Sequence, residues 1–160
     1  MKSYTIQEVK EELNNVSQQR VKELCLRLAK YKKENKELLV YLLFHEHDEQ
    51  QYIGNVKSEM EMLFTEINTS SVYFTKKGLR KILRFVGRHI KYTGSKQAEA
   101  ELLIHFCKLL MQSSIAVRKS NALHNLYLQQ IKKIKIAVSS LHEDLQHDYL
   151  KEIENSLQLP

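Results

Sequence analysis

The stretch KKGLRKILRFVGRHIK, Lys76–Lys91, decides how this chain folds. Leu79, Ile82, Leu83, Val86 and Ile90 recur three or four residues apart, so on a helix they gather on one side while all seven Lys and Arg take the other. That period belongs to an amphipathic helix and not to a strand. The segment holds seven bases and no acid, whereas the rest of the chain carries 18 bases against 19 acids, so the basicity is local. Like charges at helical spacing cost a few tenths of a kcal/mol per pair. Relief comes either from acids elsewhere, such as Glu59, Glu61, Glu66, Glu99 and Glu101, or from an external anion, and both stay open. Gly87 interrupts the helix at a cost of about 1 kcal/mol relative to Ala, which suits close approach by a neighbouring helix or by a phosphate backbone.

Outward from this segment the pattern stays helical. Upstream, Asp48 with Gln51 caps a helix carrying Ile53, Val56, Met60, Leu63, Phe64 and Ile67. Before it, a Thr5–Glu8 capping box opens a short helix (Ile6, Val9, Leu13, Val16) and Ser17 caps a second, striped by Val21, Leu24, Cys25, Leu28 and Tyr31. The run Leu38–Phe44 reads as a helix buried on most sides, forming a hairpin with the second. The basic helix is expected to start near Ser70 or Ser71 and to end near Gly94. Ser95 caps the next helix, whose core face holds Leu102, Leu103, Phe106, Cys107, Leu110 and Met111. Tyr127, Ile131, Ile134, Val138, Leu141 and Leu145 form a heptad-like seam, packed internally or across a dimer. A Ser140–Glu143 capping box predicts a break at 139–140 and a last helix with Tyr149, Ile153 and Leu157.

Four Gly and one Pro in 160 residues are too few for the turns of a sandwich or barrel, so the chain is all-α. We expect one domain, 1–160, of seven to eight helices, arranged as a bundle or a short irregular solenoid. Leu42, Leu83, Phe106 and Ile134 are expected in the core. No apolar run is long enough to span a bilayer, which points to the cytoplasm. Cys25 and Cys107 sit among core-type residues and are expected to be buried, reduced and unlinked.

Chemistry-bearing constellations are sparse. His45, Glu46, His47, Asp48 and Glu49 have metal-type side chains, as do Glu143 and His147, but no Glu-x-x-His occurs, and the first cluster reads as a solvated turn and cap. Ser114 has no base at motif-like spacing, and Gly94-Ser95-Lys96 reverses the order of a phosphate loop. We expect no catalytic residue, no metal and no cofactor.

The stretches Val21–Leu39 and Lys76–Arg84 resemble a group of small, functionally uncharacterised all-helical bacterial proteins. The resemblance implies a bacterial cytosolic helical domain and brings no activity or ligand. The residues themselves favour a non-enzymatic protein-interaction module, with Lys77, Arg80, Lys81, Arg84, Arg88 and Lys91 meeting an acidic protein surface or a sister subunit, a homodimer included. The alternative is sequence-independent binding of DNA or RNA through the phosphates. A membrane-surface role ranks third, because the apolar face is needed for the core and there is no Trp.

Overall fold

The computed structural model describes residues 3–157. Every regular element among them is helical: eight α-helices and two short 3-10 turns, with no strand. Length argues for one domain; Cα packing groups the chain into two compact units, residues 1–44 and 45–160.

The first unit holds α1 (Ile6–Asn14), α2 (Gln18–Tyr31) and α3 (Lys33–Phe44). Its starts follow the expected caps: Thr5 and Glu8 form a complete capping box, and Ser17 accepts from the Arg20 N–H. The hairpin of α2 and α3 forms as expected, closed by Asn35, whose side-chain amide donates to the Leu28 carbonyl at 2.9 Å. The core assignment, however, fails here. Leu38, Val40, Leu42, Leu43 and Phe44 are all exposed, and Tyr41 is the one buried residue of α3. Leu28, Tyr31 and Cys25 are exposed as well. The apolar run of α3 is continuous, so its spacing selects no inward face, and the unit supplies too few opposing surfaces to cover it.

The second unit holds α4 (Glu49–Thr65), α5 (Val72–Thr93), α6 (Lys96–Gln112), α7 (Asn121–Ser139) and α8 (Glu143–Ser156). This is a helical bundle around α6, which packs against α4, α5 and α7. Burial explains the central place of α6: Leu102, Phe106, Cys107 and Leu110 are fully covered, and two small residues, Ala98 and Ala100, let neighbours approach. Phe106 and Ile134 are core residues as expected, and Leu83 is only partly buried against that core. The seam Tyr127, Ile131, Ile134 and Val138 is buried inside the unit, which removes it as a dimer surface. The break at 139–140 is present, but not through the expected capping box. Ser140 closes α7, its hydroxyl donating to the Ala137 carbonyl at 2.7 Å, and His142 caps α8 instead.

Candidate partner-binding groove

Helix α5 begins where Ser71 accepts from the Phe74 N–H and ends at Gly94, whose φ of 62° places it in the left-handed region that glycine tolerates. Leu79, Ile82, Phe85 and Val86 bury its apolar stripe. The remaining circumference divides into two rows. Lys76, Arg80 and Lys91 lean toward α7, and between them Leu83, Gly87 and Ile90 line a groove of about 650 Å³. Helix α7 supplies the far wall with Asn125, Gln129, Gln130 and Lys133, and Glu99 and Leu103 of α6 also line it. The second row, Lys77, Lys81 and Arg84, borders a smaller hollow of about 240 Å³ beside Ile67, Glu66 and Phe74. Arg88 is partly buried and lines neither.

Five of the six expected residues are thus distributed over two surfaces, and Arg88 lies on neither. Sequence reading missed Lys76, Lys133 and Gln130. The signal for the last two was present in α7, which carries three Lys and no acid, and in which Gln130 interrupts the apolar seam between Tyr127 and Ile134.

Acids of the neighbouring helices do not neutralise the basic rows. Glu101 pairs with Lys57 at 2.9 Å, Glu99 with Lys96 at 2.7 Å, and Glu61 stands 3.0 Å from His105 Nε2. Glu59 and Glu66 make no ion pair among the described residues. Lys76, Lys77, Arg80, Lys81, Arg84 and Lys91 therefore have no acidic partner there. The field extends beyond α5: from Ile67 to His142 the chain carries 14 Lys or Arg and two acids.

Two further features mark the groove. A Cβ built on Gly87 meets nothing within 4 Å, so no helix approaches this glycine, and the notch it leaves opens into the groove. Gln130 is 3% exposed, its amide N–H donates to the Leu126 carbonyl at 3.0 Å, and its Oε1 is buried without a hydrogen-bond partner among the described residues. An orphan acceptor of this kind costs about 1–3 kcal/mol.

Elsewhere the titratable groups serve structure. Burial alone raises the Glu101 carboxyl, but the hydrogen bond and charge of Lys57, with hydrogen bonds from Tyr149 and Gln50, outweigh it and hold Glu101 below its ordinary value. Burial, then the cations Lys57 and Lys108, lower His105 against the pull of Glu61. Burial pushes the Cys107 thiol up to about 12. No group of three or more His, Cys, Asp or Glu suited to a metal ion occurs among the described residues. No described helix is long and apolar enough to cross a membrane. Compared with known proteins, the chain matches no family model, no characterised protein and no solved structure at a significant level.

Proposed function

We propose that this chain is a non-enzymatic, cytoplasmic protein-interaction module whose α5–α7 groove receives an acidic amphipathic helix of a partner. The observation that carries the reading is the row of groove cations, Lys76, Arg80 and Lys91, which form no ion pair among the described residues while Leu83 and Ile90 line the same groove. Burying a third helix against two others is a common recognition mode: apolar anchors supply area and rim charges fix register and speed encounter. A phosphate backbone would use the cations and leave the apolar lining idle.

The second reading, sequence-independent nucleic-acid binding, is favoured by the 14 bases and two acids between residues 67 and 142. One titration separates the two, using a synthetic Glu/Leu amphipathic helical peptide and a mixed-sequence DNA duplex as probes, with the parent chain and a Lys76→Glu, Arg80→Glu, Lys133→Glu variant. The module reading expects one-to-one peptide binding, weakened tenfold or more by charge reversal. Tight duplex binding, with log K falling by roughly 4 to 5 per decade of salt as about five phosphates are neutralised, together with no peptide binding, would reverse the order of the two readings.

A further inference from the structure

We propose that the groove's occupant is α1 of a second copy of this chain, exchanged reciprocally so that two chains close into a dimer. The inference rests on the reading of the groove as a receptor for an acidic helix and names that helix. Helix α1, IQEVKEELN, has the required chemistry: Glu8, Glu11 and Glu12 against the single Lys10, with Ile6, Val9 and Leu13 at helical spacing. None of its residues is buried, and Ile6 is 85% exposed. An amphipathic helix normally covers such a stripe. Its Thr5–Glu8 capping box sets the helix start, with the Thr5 N–H donating to Glu8 at 2.7 Å, which reduces the ordering that binding must supply.

The dimensions agree. Nine residues make a helix about 14 Å long, and the 15-residue step from Lys76 to Lys91 along α5 covers about 22 Å. The charges agree as well: Lys76, Arg80, Lys91 and Lys133 rim the groove with no ion pair among the described residues, the lining Glu99 being held by Lys96, and an acidic helix brings counter-charge to them. Because each chain carries both the acidic helix and the basic groove, mutual exchange satisfies both at once and closes the assembly at two, where one-way docking would continue into a filament.

The test uses the full chain and measures molecular mass by light scattering over a wide concentration range in low salt. The parent is expected to be a dimer that dissociates as salt rises. Glu11→Lys with Glu12→Lys, and separately Arg80→Glu with Lys91→Glu, should each be monomeric, with circular dichroism unchanged because these side chains are exposed. Mixing the two variants should restore a heterodimer, since the reversed helix of one then meets the reversed groove of the other while the parental helix meets the parental groove. Val9→Glu, an uncharged-to-charged change on the apolar stripe, should also give monomers. A parent that stays monomeric at every concentration overturns the proposal, as does a dimer that survives both charge reversals or a mixture that fails to associate. A monomeric parent that still binds the Glu/Leu peptide would sink this inference and leave the module reading standing.

Discussion

At the residue scale the two cysteines part company. Cys107 is buried, its thiol pushed up to about 12, so at neutral pH it offers neither access nor thiolate. Cys25 is exposed on α2. Thiol labelling of the native chain should therefore modify Cys25 quickly and Cys107 only after unfolding; equal rates would refute the burial of Cys107. Both were expected inside because each sits among leucines, and a local apolar neighbourhood does not reveal whether a partner surface exists to cover it. The same reasoning sorts the leucines and their neighbours. Truncating Phe106 or Ile134 to Ala should cost about 2–5 kcal/mol in denaturant unfolding, since both are fully buried. Leu42→Ala, at a position 43% exposed, should cost well under half of that.

At the element scale the helix starts were legible and the groove was not. Thr5, Ser17, Asp48, Ser71 and Ser95 all accept from the backbone N–H three residues on, because capping depends on chemistry within one turn. Ser140 failed as a start because its hydroxyl is spent on the Ala137 carbonyl at the end of α7. The basic row of α5 was legible for a related reason, being periodic within a single helix. Its division into a groove side and an outer side was not, since that depends on where α7, some 40 residues later, comes to lie. Gly87 within α5 and Gly94 just past its end offer a check with opposite signs. At high salt, where the chains are separate, Gly87→Ala places a methyl group in open space and should stabilise the chain by about 0.5–1 kcal/mol in thermal or denaturant unfolding. Gly94→Ala, at a φ of +62°, should instead destabilise it by about 1 kcal/mol. Loss of stability in Gly87→Ala would show that the notch is filled.

At the scale of the whole molecule, stability should fall with pH. Glu101 has a folded-state value below its ordinary 4.5, so its contribution is complete above that pH and is lost as pH falls through the lowered value. His105 is also lowered from 6.5, so below that pH the unfolded chain takes up a proton that the folded chain resists, and stability drops further. Melting temperature should decline from neutral pH toward pH 4, and Glu101→Gln should flatten the acid end of the curve while lowering its plateau. A profile unchanged in that variant would remove Glu101 as the link joining Lys57 of α4 and Tyr149 of α8 through α6. The sparse burial of residues 3–44, where Tyr41 alone is covered, carries a separate consequence for how the chain opens in time. Amide protons of α1 to α3 have little apolar packing to hold their hydrogen bonds shut, so in isolated chains they should exchange with solvent deuterium long before those of α6. Proteases that cut after Lys or Arg should accordingly find Lys30, Lys32, Lys33 and Lys36 first, leaving a resistant fragment that begins within α3 and carries α4 to α8.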